Sequence, residues 1–424
     1  MATRHLLQLV RKVSSPLLQP TNLRSALYRT SSRAGNDLQP IREMSSNMQF
    51  TLLGVCKQLQ LTKAKDRNFS FSPCSMQLAL CLLANGARGS TLSELLALAD
   101  VKSVNKLKLV ASKLVRTLTQ STYGGPEISF VGGVWADKSV SMKPEFKFIA
   151  QDVYKMRAKV VDFRYKANEV VDKVNNWAED VTDGHIKHLL PENQLDEETN
   201  LVLANAVYFK GKWCNPFEKS ATKNHYFSLL NGDDVKVPFM TNYKAVQYIK
   251  TCDDFRVLRL PYENSALSMY IILPNNRDGL WALAEKVSFD PLFLENYVTP
   301  DIEEVRVGKV RVPKFKISYS FDASKILEYL GLRSCFGEEA EFNELVQNLR
   351  PGEWFGVDGV YQESCIEVSE EGTEAAAVNS EAGCGRPITG VDDFVADHPF
   401  MYVIRDDNTG MVLFMGHVVD PSSE

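Results

Sequence analysis

The sequence lacks long apolar runs and any excess of glycine or proline. No stretch reaches 18 uninterrupted apolar residues, so no membrane-spanning helix is expected. With 24 glycines and 18 prolines among 424 residues, a collagen-like or low-complexity architecture is excluded. A hydrophobic share of 44% is instead typical of a globular chain that buries a sizeable core. The net charge of −5 argues against a generic nucleic-acid-binding protein, which would be basic.

Metal-binding and disulfide patterns are also missing. The eight cysteines include no C-x-x-C pair and the six histidines no H-E-x-x-H motif, so neither a metal site nor a cofactor is expected. Scattered cysteines in a large chain indicate a reducing compartment and no disulfide framework. Cys81 lies in an apolar run, where a free thiol behaves as a small hydrophobic side chain.

The motifs of common enzymes are absent as well. The sequence contains no G-x-S-x-G elbow, no phosphate-binding P-loop and no G-x-G-x-x-G fingerprint. His185 and His188 are three residues apart and could share a helix face, but a pair without a third ligand is more typical of a solvated surface. We therefore expect that the protein is not an enzyme.

The first 36 residues differ in charge from the rest. They contain six basic residues, no acidic residue and many serines and threonines. This composition is typical of an organellar transit peptide, although a disordered tail without a targeting role fits it equally well. We interpret residues 1–43 as an N-terminal extension and 44–424 as one domain. The expected location is intracellular, with a mitochondrion or plastid reached through residues 1–43, and an extracellular location stays open.

Residue patterns after this extension predict an α+β domain. Helical spacing is found over 75–85 and 167–182, and Thr91 with Glu94 resembles a capping box at the start of another helix. Strands are predicted over 128–136, 201–209, 266–273 and 411–419, and the second and third are apolar enough to be buried on both faces. A hairpin turn is predicted at 406–410.

The stretch 370–398 is the most informative part of the sequence. It starts with small and acidic residues, and from 378 to 393 it has little apolar pattern, although ordered motifs flank it. Loops of this length within a compact domain are commonly functional or disordered. From composition alone, a tolerated surface insertion would explain it.

Several motifs, spread over nearly all of 44–424, resemble the serpin superfamily, and within it the plant serpins. The hinge that precedes a serpin reactive-centre loop is similar to Glu370, Glu371, Gly372, Thr373, Glu374, Ala375, Ala376 and Ala377. Structural family positions match Asn68, Ser72, Pro73, Asn205, Trp213, Pro399 and Phe400.

The resemblance implies a serpin fold with about nine helices, three β-sheets and an exposed reactive-centre loop. It implies a monomer that acts as a suicide substrate for an endopeptidase. The protease cuts the loop, which then inserts as a strand into the central sheet. Family spacing places the scissile bond at Arg386–Pro387, so the implied target is a trypsin-like serine protease or an Arg-specific cysteine protease.

Four residues depart from the pattern of inhibitory members. Pro387 has a rigid ring and no N–H on the leaving side of the scissile bond. Because strand residues alternate between faces, Asn379 and Glu381 would point inward if Thr373 does. Gln362 stands where the family commonly has a histidine that hydrogen-bonds Asn205. A non-inhibitory serpin that acts as a binding protein is therefore the alternative function.

Overall fold

The computed structural model describes residues 54–99, 101–119, 125–243, 246–349, 352–370 and 393–423. These residues form nine α-helices. They are α1 (54–61 among the described residues), α2 (Pro73–Gly86), α3 (Gly89–Leu98), α4 (Val104–Thr119), α5 (Pro144–Phe148), α6 (Phe163–Val181), α7 (Leu280–Phe289), α8 (Phe293–Tyr297) and α9 (Ser324–Tyr329). A π-helical turn (Ile149–Val153) and two 3₁₀ turns (Lys219–Ala221 and Ser334–Phe336) complete the helical elements of these ranges.

Eighteen strands accompany these helices in the same residues. They are β1 (Phe69–Phe71), β2 (Glu127–Asp137), β3 (Ser141–Met142), β4 (Arg157–Val161), β5 (Leu201–Lys210), β6 (Lys223–Ser228), β7 (Asp234–Asn242), β8 (Val246–Thr251), β9 (Phe255–Pro261), β10 (Leu267–Pro274), β11 (Glu304–Arg306), β12 (Val310–Pro313), β13 (Phe315–Asp322), β14 (Val346–Gln347), β15 (Val357–Val368), β16 (Phe394–Val395), β17 (Phe400–Asp406) and β18 (Val412–Val418).

The strands form three large sheets. A five-stranded sheet has the order β13-β15-β5-β2-β4, a four-stranded sheet β16-β12-β7-β6 and a seven-stranded sheet β1-β18-β17-β10-β9-β8-β11. The predicted α+β class with three large sheets is confirmed. The described residues also contain a two-stranded sheet, β14-β3, which the sequence did not predict.

The core lies between the five-stranded and seven-stranded sheets. Helix α2 packs against strands of both, β5 and β18. All its residues but Asn85 are buried, as expected of a helix enclosed on every side. Ser72 caps its first turn and Pro73 occupies a first-turn position, where a missing N–H costs no hydrogen bond. Cys81 is fully buried here, and burial raises the pKa of its thiol to about 12, in line with its predicted core role.

Helix α6 covers the outer face of the five-stranded sheet. The valines that gave it helical spacing pack with Trp135 and Tyr208 of the sheet, and Arg157 lies 4.0 Å over the ring of Trp177. Residues 182–200, here named the connector, lead from the end of α6 to β5. None of the helices in the described ranges is long and apolar enough to cross a membrane.

The predicted capping box at Thr91 and Glu94 is wrong. Helix α3 begins at Gly89 and has no side-chain cap. The Thr91 hydroxyl accepts a hydrogen bond from the Glu341 N–H at 3.0 Å, and the Glu94 carboxylate accepts the N–H groups of Arg333 and Ser334 at 2.8 Å each. Both side chains therefore bind N–H groups of the 333–341 segment. The local sequence pattern could not reveal these donors, because they are distant in the chain.

The four predicted strands are confirmed as β2, β5, β10 and β18. Residues 201–209 and 267–274 are buried throughout, as predicted for strands covered on both faces. The 406–410 turn joins β17 to β18, which pair antiparallel. The seven cysteines of the described residues are free thiols, and Cys384 lies outside them.

Candidate functional site

The centre of the five-stranded sheet holds a parallel strand pair, β5 and β15, which we call the seam. Val357 pairs with Leu201, and after a bulge at Asp358 the strands run in register from Gly359 opposite Val202 to Glu367 opposite Lys210. Each of these strands is antiparallel to its other neighbour. A new strand that followed β15 through a tight turn would run antiparallel to both β15 and β5. Because antiparallel ladders are slightly more stable per residue than parallel ones, the seam favours such an addition.

The candidate hinge begins where β15 ends. Glu370 is the last described residue before the loop, and its carboxylate pairs with Lys314 Nζ at 2.8 Å. Its carbonyl accepts the Phe217 N–H at 3.0 Å, and the carbonyl of Ser369 accepts Trp213 Nε1–H at 2.8 Å. Burial raises the pKa of Glu370, but the hydrogen bond from Lys314 and the neighbouring donors outweigh burial and lower it overall. The base of the loop is therefore held in place.

The rest of the predicted loop lies outside the described residues. This applies to Glu371, Gly372, Thr373, Glu374, Ala375, Ala376 and Ala377 of the hinge, to Asn379 and Glu381, and to the candidate scissile bond Arg386–Pro387.

The described chain resumes at Asp393. The Asp393 carboxylate pairs with Lys309 at 2.6 Å, and Phe394 begins the short strand β16, which pairs parallel with β12. Pro399 and Phe400 follow as buried residues at the start of β17, and the Phe400 ring packs against Phe315 and Phe227. Both ends of the 371–392 segment are thus bound to the sheets.

Gln362 occupies the middle of the seam. Its side-chain amide lies 3.0 Å from Asn205 Oδ1, 3.0 Å from the Ser72 carbonyl and 2.6 Å from Ser75 Oγ. Its carbonyl oxygen accepts the Ser72 N–H at 3.3 Å. The structure therefore brings the family positions Ser72 and Asn205 together around Gln362, and Pro73 follows Ser72 in the first turn of α2. The glutamine keeps the hydrogen bond to Asn205 expected of the histidine that the family commonly has there.

At each end of the seam, a carboxylate of β15 contacts β5 or the residue before it. Neither residue was predicted from the sequence. At one end Asp358 Oδ2 accepts the main-chain N–H groups of Asn200 at 2.6 Å and Leu201 at 3.0 Å. At the hinge end Glu367 pairs with Lys210 at 2.7 Å and accepts the Tyr208 hydroxyl at 3.4 Å. Burial raises the pKa of Asp358, and the two main-chain donors partly oppose that shift.

The connector lies over the outer face of the five-stranded sheet, the face that α6 also covers. The His185 ring stacks on Tyr208, with 3.7 Å between ring centroids. Glu363 is buried and accepts a hydrogen bond from Ser318 Oγ at 3.1 Å. Burial raises its pKa, while the Ser318 hydroxyl and the nearby His188 lower it. His185 and His188 do not share a helix face, because α6 ends at Val181 and both lie in the connector. His188 is exposed, as expected of a solvated surface, whereas His185 is half-buried against Tyr208.

Asn68 and Trp213 tie distant segments together. Asn68 Nδ2 donates to the carbonyls of Asp420 and Ser423, and its Oδ1 accepts the N–H of Val419. The sequence Asn68-Phe69-Ser70 has the pattern of an N-glycosylation acceptor, but Asn68 is buried with its amide already bonded, so this match carries no weight. The Trp213 ring stacks on Tyr262 at 4.5 Å, close to the base of the hinge.

Comparisons with known proteins agree with this geometry. Residues 45–421 match the family model described as Serpin (serine protease inhibitor). The chain is 45% identical to Serpin-ZXA of Oryza sativa subsp. japonica over 362 residues, which are 84% of this chain and 90% of the relative. It is 40% identical to Serpin-ZX of Arabidopsis thaliana, covering 90% of this chain and 99% of that relative.

Solved structures give the same result. The native stressed conformation of Arabidopsis AtSerpin1 is similar, with a TM-score of 0.82, 39% sequence identity and coverage of 92% of this chain and 100% of that one. Serpin48 of the insect Tenebrio molitor has a TM-score of 0.78 at 28% identity, covering 91% of this chain and 100% of that one. The chain belongs to the serpin family, in the protease-inhibitor class.

Proposed function

We propose that this serpin inhibits an endopeptidase by inserting its cut loop into the seam. The observation that carries the proposal is the parallel β5–β15 pair, which ends where the hinge Glu370–Ala377 begins. The small residues of that hinge suit a strand that must pass between two others without steric conflict. Antiparallel pairing on both sides would then replace one parallel ladder.

The chemistry belongs to the target protease. Its serine or cysteine nucleophile adds to the carbonyl carbon of Arg386, the Arg386–Pro387 bond breaks, and the proline nitrogen takes the proton. An ester or thioester then joins protease and loop. Strand insertion carries the attached protease away and distorts its active site before water can release it. This serpin supplies the bait and the stored conformational energy, and no catalytic residue.

An arginine at the scissile position favours trypsin-like serine proteases or Arg-specific cysteine proteases. The test is incubation with trypsin and with an Arg-specific cysteine protease, followed by denaturing electrophoresis. We expect a complex that survives SDS, and its loss in Thr373→Arg, because a bulky charge cannot enter the sheet. Thr373→Ser is the matched control and should keep the complex.

A non-inhibitory binding protein is the second candidate. Asn379 and Glu381 favour it, because both would be buried if the loop inserted as a strand. An unpaired buried amide or carboxylate costs on the order of 1–3 kcal/mol or more, which opposes insertion. Its expected outcome in the same experiment is a cleaved chain without any complex. Gln362 no longer favours this candidate, since its side chain is fully used in the seam.

We further propose that residues 1–43 are a separate extension and that 44–424 form the serpin domain. The start of the family match at residue 45 supports this boundary. We propose a monomer located inside the cell, in a mitochondrion or plastid if residues 1–43 act as a transit peptide. Fusion of residues 1–43 to a fluorescent protein tests the targeting, and sedimentation equilibrium tests the monomer.

A further inference from the structure

The contact at the hinge end of the seam joins three side chains on two strands. Glu367 of β15 pairs with Lys210 Nζ of β5 at 2.7 Å and accepts the Tyr208 hydroxyl at 3.4 Å. The two charged side chains are only 23% and 29% exposed. Such a pair is less screened than ion pairs on open surface, so it contributes more to holding its strands together.

This contact is the first that an incoming strand would meet. The chain leaves β15 one residue after Glu367, at Val368, so a strand continuous with β15 enters from this end. Asp358 crosses the seam at the opposite end, and Gln362 lies between them. The Lys210–Glu367 pair must therefore separate before either of the other two cross-seam contacts.

The neighbouring side chains determine the free energy needed to separate Lys210 from Glu367. The register places Lys316 of β13 opposite Glu367 on the side away from the seam. Glu367 therefore stays beside a cation when Lys210 moves away. On the β5 side, the His185 ring of the connector stacks on Tyr208 with an interplanar angle of 4° and lies 3.8 Å from the Glu127 carboxylate. Contacts at the hinge end of the seam thus link β2, β5, β15 and the connector.

We infer that Glu367, acting through Lys210 and Tyr208, is a positioning residue that sets how fast the seam opens at its hinge end. As far as inhibition is concerned, this inference rests on the proposed function. Loss of the Lys210–Glu367 pair lowers the barrier to strand entry without altering the reactive-centre loop that the protease attacks. Insertion then competes better with hydrolysis of the acyl-enzyme, while attack on the loop is unaffected.

Hydrogen exchange of the full chain tests the seam without any protease. In Glu367→Gln and in Lys210→Met we expect amides of residues 206–210 to exchange about threefold faster, the factor that a partly buried ion pair supports. Amides of 201–203 should not change. The matched control is Glu169→Gln, which removes a Lys–Glu contact of 3.2 Å on exposed α6 that does not cross the seam.

A double variant separates this role from general destabilisation. If both residues act through one contact, Lys210→Met combined with Glu367→Gln should accelerate exchange no more than either single change. Additive acceleration would overturn the inference, as would exchange equal to that of the Glu169→Gln control.

Kinetics with trypsin then test the link to inhibition. The variants should consume fewer serpin molecules per protease inhibited, with an unchanged association rate constant. Faster exchange without that fall would overturn the role in insertion. If the wild type forms no complex with any protease, the proposed function fails, whereas the exchange experiment still decides whether Glu367 controls the seam.

Discussion

The side-chain amide of Gln362 on β15 lies 3.0 Å from Oδ1 of Asn205 on β5, and both side chains are fully buried. The same amide reaches the Ser72 carbonyl and the Ser75 hydroxyl at the start of α2. The centre of the seam is therefore bound to the helix beneath it. A strand that enters the seam must break these hydrogen bonds as well as the ladder between the two strands.

Replacing Gln362 with leucine should destabilise the native protein by about 3 kcal/mol. Leucine has a similar volume but leaves Asn205 Oδ1 and the Ser75 hydroxyl buried without this partner. The measurement is urea-induced unfolding followed by intrinsic fluorescence. Gln362→His is the matched control, because it can restore a donor, and it should lose less. Equal losses in the two variants would show that the polar contacts are unimportant.

Acid should weaken the protein through His417. This imidazole is fully buried, its Nε2 lies 3.1 and 3.0 Å from the carbonyls of Ala64 and Arg67, and burial lowers its pKa from 6.5 to about 4. Between those values the unfolded chain binds a proton that the folded chain does not. As far as His417 is concerned, the free energy of unfolding is therefore highest above about pH 6.5 and decreases as the pH falls toward 4.

The predicted loss is about 3 kcal/mol over that window, from the size of the pKa difference. His417→Gln removes the titrating group, so its unfolding free energy should depend less on pH between 7 and 4.5. A pH dependence in His417→Gln equal to that of wild type would refute the assignment.

Sequence patterns predicted local elements well and distant side-chain contacts poorly. The apolar spacing of 75–85 and the continuous apolar run of 201–209 identified α2 and β5, because burial alone gives such patterns. The roles of Asp358 and Glu367 were missed, since each depends on which strand lies beside β15, and no local spacing encodes that. Thr91 and Glu94 were misread for the same reason. Gln362 could be predicted only through the family resemblance.

Proline after the scissile arginine should slow, without preventing, attack on the loop by trypsin-like enzymes. Pro387 lacks an N–H, and its rigid ring restricts the leaving side of the bond. Pro387→Ser should therefore increase cleavage after Arg386 at least about tenfold, equivalent to about 1.4 kcal/mol in the barrier. Mass spectrometry of the released C-terminal peptide measures it. Rapid cleavage of the unmutated bond would contradict the prediction, and Arg386→Gln is the control that should abolish cleavage in both backgrounds.

The last prediction concerns how far the cut loop enters the seam. With Thr373, Ala375 and Ala377 facing inward, Asn379 and Glu381 follow them toward the core. If unpaired, these two polar groups oppose insertion by several kcal/mol, roughly the sum of two desolvation penalties. Strand addition contributes hydrogen bonds along the whole seam, so we expect the Ala375–Ala377 end to enter while the Glu381 end stays outside.

Thermal unfolding before and after a nick within residues 381–386 measures this. The wild type should gain a modest rise in melting temperature, and Asn379→Thr with Glu381→Val a much larger one. Lower pH should enlarge the wild-type rise, because a protonated Glu381 is cheaper to bury. Ser380→Val, on the outward side of the same strand, is the matched control and should leave the rise unchanged. A wild-type rise as large as that of the double variant would mean that the inward polar groups find partners, and full insertion would then follow without any change to the loop.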